Sequence, residues 1–446
     1  MKNKCVLILL LFVTTVIAQD KKGSYSFSLK EAVDHALQNN YSVINANRDI
    51  EAAKKKKWET TTMGLPQING TIGYQNNIEI QKSLIPAEIF GGTPGTFQEV
   101  AFGVKHNMNA NLTLSQLIFD GSYIVGLQSA KTYLKISENA KVKTNQEITE
   151  MVVNSYGNVL LAEEGILLLE KNKQNLEKTL FQTNETFKNG LIEEENVEQL
   201  QITLTSLDNS LKNAKRQKTI ALDMLKLLLG IDLDESLLLT EKLENVTQNN
   251  INLQLLTAQF DVNNSIDYQI GKNLETSTEF LLKLEKSKAL PSIGAALNFG
   301  YNGFGSQFNF LSSNQKWFNF SNVGVQMSIP IFSSLGRSSR TQQAQIALDQ
   351  SRTELTQTQQ KLHLQFDKAK SDYEFSLEQL TNAKSNLKLA ERIENKNEIK
   401  FKEGLASSFE LTEAQRQLYA TQQNYLQAML DVINKKATLE KLLSKN

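Results

Sequence analysis

The chain has 446 residues, and its 48 basic and 48 acidic side chains cancel, which excludes the basic footprint of a nucleic-acid binder. One Cys and three His exclude a disulfide framework and leave little from which to build a metal centre. A mean hydropathy of −0.34 excludes a polytopic helical membrane protein, and no cofactor or catalytic signature is present: no Gly-rich phosphate loop, no nucleophile elbow, no metal-spaced His or acidic cluster.

Residues 1–18 read MKNKCVLILLLFVTTVIA. Two Lys open the segment, an apolar run follows from Cys5 to Ile17, and small residues precede Gln19. That is the pattern of a secretory signal, too short for an anchor. Its removal leaves no cysteine, because Cys5 lies inside the apolar run. Residues 19–64 read as shorter helices. Residues 65–119 then alternate with period two. Ile68, Ile72, Tyr74, Ile78 and Ile80 form one weak series; Phe102, Val104, Met108, Ala110, Leu112 and Leu114 form a stronger one, with Asn, Thr, Ser, Gly and Lys between them. His106 and Gln116 interrupt the apolar side. Such alternation predicts strands, and an uncharged polar face suits a hydrated lumen opposite a lipid-facing side. The connection IPAEIFGGTPGTF, Ile85 to Phe97, reads as the loop between them.

None of the five prolines falls between 95 and 290 or after 330, so long helices can run there. Residues 120–230 predict a helical hairpin whose first helix, about 68 residues at 1.5 Å each, spans roughly 100 Å. Leu200, Leu204, Leu207, Leu211 and Ala214 alternate steps of four and three. Gly190 interrupts the pattern as a helix-terminating residue does. Residues 231–289 predict a further short segment and helix. Residues 290–332 give a second strand pair, with Ile293, Ala295, Leu297, Phe299 and Tyr301 in one series and Val323, Val325, Met327 and Ile329 in the other. Phe304, Phe308, Phe310, Trp317 and Phe318 between them suit an interfacial aromatic girdle. Residues 333–446 repeat the hairpin, turning at Gly404. Leu411, Leu418, Tyr425, Val432 and Leu439 recur every seven residues, the spacing of helices packed in a coiled-coil manner.

The chain repeats itself. LPQI at Leu65–Ile68 matches LPSI at Leu290–Ile293, SQLIF at Ser115–Phe119 matches SIPIF at Ser328–Phe332, and FKNGL at Phe187–Leu191 matches FKEGL at Phe401–Leu405. Each copy reads helix, strand, loop, strand, very long helix, Gly turn, long helix.

In this order, twice, at near-constant spacing, these motifs resemble the TolC-like outer-membrane factor family over essentially the whole mature chain. The resemblance implies a mixed α and transmembrane β fold: a homotrimer with a 12-stranded outer-membrane β-barrel continued by a long periplasmic α-helical barrel, two tandem repeats per chain. It implies an export duct of a tripartite efflux or type I secretion system that conducts passively, with no catalysis and no cofactor. Its partners would be a periplasmic adaptor, an inner-membrane RND or ABC pump, and outer-membrane lipid. The hairpin turns at Gly190 and Gly404 would form the periplasmic entrance. Members place acidic side chains just after the second turn, and the matching positions are Glu410 and Glu413; in the first copy they are Asn196 and Gln199. Well-known members also latch the entrance with an Arg and a Tyr, where this chain has Ala406 and Phe401. The competing reading is a secreted or periplasmic coiled-coil structural or adaptor protein. An adaptor carries one hairpin and lacks the paired alternating strands.

Overall fold

The computed structural model describes residues 23–444; the predicted signal at 1–18 lies outside them. In chain order the elements are β1 (Ser24–Phe27), α1 (Leu29–Asn39), α2 (Tyr41–Thr62), β2 (Gln67–Asn76), β3 (Lys82–Pro86), β4 (Phe97–Ala101), β5 (His106–Asp120), α3 (Gly121–Lys188), α4 (Glu194–Leu229), β6 (Ser236–Leu239), α5 (Leu243–Asn249), α6 (Ile266–Ser287), β7 (Ser292–Gly305), β8 (Trp317–Ser328), α7 (Gly336–Lys402) and α8 (Ser408–Leu443). Lengths recur along the chain: α2 and α6 have 22 residues each, α3 and α7 have 68 and 67, α4 and α8 have 36 each. No helix among the described residues is long and apolar enough to cross a membrane.

The chain divides into two compact units. One comprises residues up to Ile44, Asn145–Gln259 and Phe366–Leu442. Its core is apolar and helical: Val152, Tyr156 and Leu160 from α3 are buried with Leu225 and Leu229 from α4, Leu243 from α5, and Leu426 and Ile433 from α8. Each such side chain removed from water contributes about 1.5–3 kcal/mol. α1 starts at a capping box: Glu31 accepts from the Ser28 backbone N–H at 2.8 Å, and the Ser28 hydroxyl receives the Glu31 N–H. Tyr156 donates to the Phe27 carbonyl at 3.0 Å, and Tyr373 on α7 holds the segment after α5 by accepting from Asn252 N–H and donating to the Asn250 carbonyl. The expectation of helices alone in 19–64 is corrected here, and the short segment expected at the start of 231–289 includes a strand: β1 and β6 pair in parallel, Ser24 opposite Ser236. Four-residue strands offer too short an alternation to be seen in a sequence.

The other unit comprises Asn45–Thr144 and Phe260–Gln365 with the chain end. It contains one antiparallel sheet of order β2-β5-β7-β8, so the two strand pairs are joined through β5 and β7. Three details differ from the sequence reading. Ile78, Ile80, Phe102 and Val104 lie outside the strands, which stop at Asn76 and begin again at His106. The segment Ile85–Phe97 is not a plain loop: it is part of a separate hairpin of β3 and β4, capped by a 3-10 turn at Ala87–Phe90 and pinned by an ion pair between Lys82 and Glu99 at 2.8 Å. Ile329 also falls outside β8, which ends at Ser328, because Pro330 has no N–H to donate to a ladder.

The two strand-to-helix junctions are built differently. Asp120 caps α3 directly, accepting from Ser122 and Tyr123 N–H at 2.6 and 3.0 Å. Before α7 the chain makes a tight turn with Ser334 and Leu335 at φ of 47° and 66°. Arg337 holds that turn by donating to the Pro330 and Ile331 carbonyls.

Candidate functional site

Strand alternation divides the sheet into two chemically distinct faces. One carries Ile68, Ile72 and Tyr74 from β2, Leu112 and Leu114 from β5, Leu297 and Phe299 from β7, and Val323, Val325 and Met327 from β8; many of these are well exposed. His106 and Gln116, the two interruptions, find polar partners. Tyr74 Oη lies 2.8 Å from His106 Nδ1, and Gln116 donates to the Gly64 and Leu117 carbonyls. Tyr74 also meets Phe308 edge-on at 5.3 Å, and Phe308, Phe310 and Trp317 follow in a chain of ring contacts.

The opposite face is a wall of amides and hydroxyls. The register sets Asn69, Thr113, Asn298 and Asn322 at one level across all four strands. Thr113 donates to Asn298 at 2.8 Å, and Asn298 donates to Asn322 at 2.9 Å. Other levels add Gln67 with Ser115, Thr71 with Asn111, and Gln75 with Asn107. The side chains at these levels are uncharged, so they present hydrogen-bonding groups without a fixed field.

The two hairpin ends lie in the helical unit and share one turn geometry. Gly190 and Gly404 adopt φ of 72° and 68°, where a side chain would be strained. Leu191 N–H reaches back to the Thr186 carbonyl and Leu405 N–H to the Lys400 carbonyl, closing the α3 and α7 ends in the same manner. The helices that follow start differently. α4 has Glu193 at its N-cap with no side-chain hydrogen bond. At α8, Glu410 accepts from the Ser407 N–H at 2.8 Å and hydroxyl at 3.2 Å, while its own N–H donates to the Ser407 hydroxyl. This reciprocal pair holds the Glu410 carboxyl below its ordinary range, the backbone N–H being the larger cause.

Of the four positions singled out in the sequence, the fold brings two together. Asn196 accepts from Ser408 N–H at 3.3 Å, and Asn196 and Glu410 both line a cleft of about 930 Å³ between the hairpin ends. Glu413 sits one turn further along, 3.4 Å from Arg416, and Gln199 lies outside that cleft. Glu193, Glu194 and Glu195 are exposed. Phe401 packs with Tyr419 against Leu176, Leu200 and Leu207 of the first hairpin. Burial pushes the Tyr419 hydroxyl up to about 12 and raises the carboxyl of Glu394, whose neighbour Glu398 adds to the rise. Sequence reasoning missed Asn172, Gln415 and Gln422, polar side chains buried between helices; the signal was their place on core-facing heptad positions.

The family profile described as "Outer membrane efflux protein" matches residues 32–231 and 281–445. The chain belongs to the outer membrane efflux protein family. As a member, it resides in the outer membrane and extends into the periplasm. It is 23% identical over 358 residues to Outer membrane protein TolC of Vibrio cholerae, covering 76% of this chain and 73% of that protein. Its fold is shared with CusC, at a TM-score of 0.74 and 18% identity over 94% of this chain and 92% of that one. The CmeC outer membrane channel of Campylobacter jejuni gives a TM-score of 0.71 at 19% identity, over 93% of this chain and 85% of that one.

Proposed function

We propose that this outer membrane efflux protein is a passive export duct assembled from three copies of the chain. The observation that carries the reading is the sheet. It has four strands, a lipid-compatible face, an uncharged polar face, and two open edges at β2 and β8. Unpaired strand edges are not tolerated in hydrocarbon, so the sheet must continue into other copies. Three copies give twelve strands, an even number of the kind bacterial barrels use. The matched helix lengths support two tandem repeats per chain, with the predicted boundaries as their divisions: strand pairs at 65–119 and 290–332, hairpins at 120–230 and 333–446.

In this reading the polar wall lines a water-filled lumen and conduction involves no chemistry. A substrate enters at the hairpin ends from an inner-membrane RND or ABC pump, in a tripartite efflux or type I secretion assembly bridged by a periplasmic adaptor. Three copies of Glu410 and Glu413 would form two acidic rings at the constriction and favour cations. Asn196 and Gln199 would leave the first hairpin's contribution neutral. The test is single-channel recording in planar bilayers. Wild type conducts in steps with a cation-selective reversal potential, and Glu410→Gln with Glu413→Gln shifts that potential toward zero. Absence of channels refutes the duct; an unmoved reversal potential refutes the rings alone.

A further inference from the structure

The seam between the two hairpins of one chain has an uncovered counterpart in the second repeat. Within the chain, α3 and α8 run antiparallel and are joined by Asn172 and Gln422 at 2.8 Å. One heptad along in each direction, the same two helical stripes carry Thr179 and Gly165 on α3 and Gln415 and Met429 on α8. All six residues are buried. The second copy of the motif lies 214 residues later, from Gly190 to Gly404, and α4 maps onto α8 with that offset at both ends. On α7 the counterparts of Gly165, Asn172 and Thr179 are Gln379, Asn386 and Ile393, and all three are exposed. On α4 the counterparts of Gln415, Gln422 and Met429 are Gln201, Asp208 and Lys215. Gln201 and Lys215 are exposed and Asp208 is half-exposed. The stripe that is covered in the first hairpin is therefore bare in the second, and the stripe that does the covering is bare on α4.

We infer that α4 of the next copy lies along this α7 stripe, with its Asp208 opposite Asn386, Gln201 opposite Ile393 and Lys215 opposite Gln379. The inference rests on the oligomeric duct proposed above. A heptad step on both helices preserves the neighbour, so one register fixes all three levels. The bare α7 stripe also borders a groove of about 760 Å³ whose walls include Phe375, Leu389 and Gln417. The seam between chains differs in chemistry from the seam within one: Asp208, held down to about 2 by Lys173 and then Lys212, stands where Gln422 stands. At this level the boundary between copies is thus the charged one.

Cysteine pairs bridged by a short bis-thiosulfonate spacer test the register, since residues that meet through their side chains hold their backbones too far apart for a direct disulfide. In a Cys5→Ser background, Asn386→Cys/Asp208→Cys and Ile393→Cys/Gln201→Cys are each predicted to give cross-linked multimers on denaturing gels, while Asn172→Cys/Gln422→Cys stays at the single-chain position. The Ile393/Gln201 pair keeps the test decisive if loss of the Asp208 ion pairs impairs assembly. An oligomer on native gels in which neither inter-chain pair cross-links overturns the register. Monomers on native gels overturn the oligomeric reading itself.

Discussion

Asn172 on α3 donates to Gln422 on α8 at 2.8 Å with both side chains buried, so an amide pair joins two hairpins far apart in sequence. Removing one partner strands the other without water. Asn172→Ala or Gln422→Ala should each cost about 1–3 kcal/mol, and replacing both with Leu should recover much of it. Thermal loss of helical circular dichroism in detergent measures this; additive single and double effects would show that the bond does not couple the hairpins.

Gly404→Ala forces a side chain into a left-handed turn and should destabilise by about 1 kcal/mol, as should Gly190→Ala. A denaturant titration of each variant checks the matched behaviour. If either substitution is neutral, that turn does not need its glycine.

Glu410 and Glu394 predict opposite slopes with pH. The Glu410 carboxyl is lowered in the fold, so its cap contributes above the ordinary carboxylate range and fades as pH falls through the lowered value. Glu394 is raised by burial, so its contribution is present at low pH and is lost as pH rises through the raised value. Melting profiles of Glu410→Ala and Glu394→Gln should converge on wild type in acid and depart from it as pH rises, in opposite directions: Glu410→Ala less stable than wild type and Glu394→Gln more stable. Parallel profiles would remove both assignments.

Val325→Lys and Gln326→Lys are neighbours on β8 with opposite expected outcomes. A cation on the lipid-facing side costs about 2–4 kcal/mol near the membrane midplane and little on the lumen side. Outer-membrane yield should collapse for Val325→Lys alone; equal yields would mean the faces are wrongly assigned.

Much of this was legible because the relevant signals are local and repeated. Gly190 and Gly404 mark their turns by sequence alone, and the alternation from Met108 to Leu114 fixes a strand and its faces. The β3–β4 hairpin was not legible because its five-residue strands are interrupted in pattern by Pro86 and a charged pair. Glu410 was read as a lining residue, yet Ser407 three positions before it spells a capping box, so the same carboxylate also starts a helix. The facing of Asn386 and Asp208 inferred above could not be read from one linear copy, because the contrast emerges only when burial in the two hairpins is compared.

The amide wall of the sheet has a consequence for how transport responds to its surroundings. Asn69, Thr113, Asn298 and Asn322 have no proton to gain or lose between acid and alkaline extremes, so acidification leaves the charge of that row of side chains unaltered. In the duct proposed above, a response to proton concentration would have to come from ionisable side chains elsewhere in the fold, such as Glu410 and Glu394.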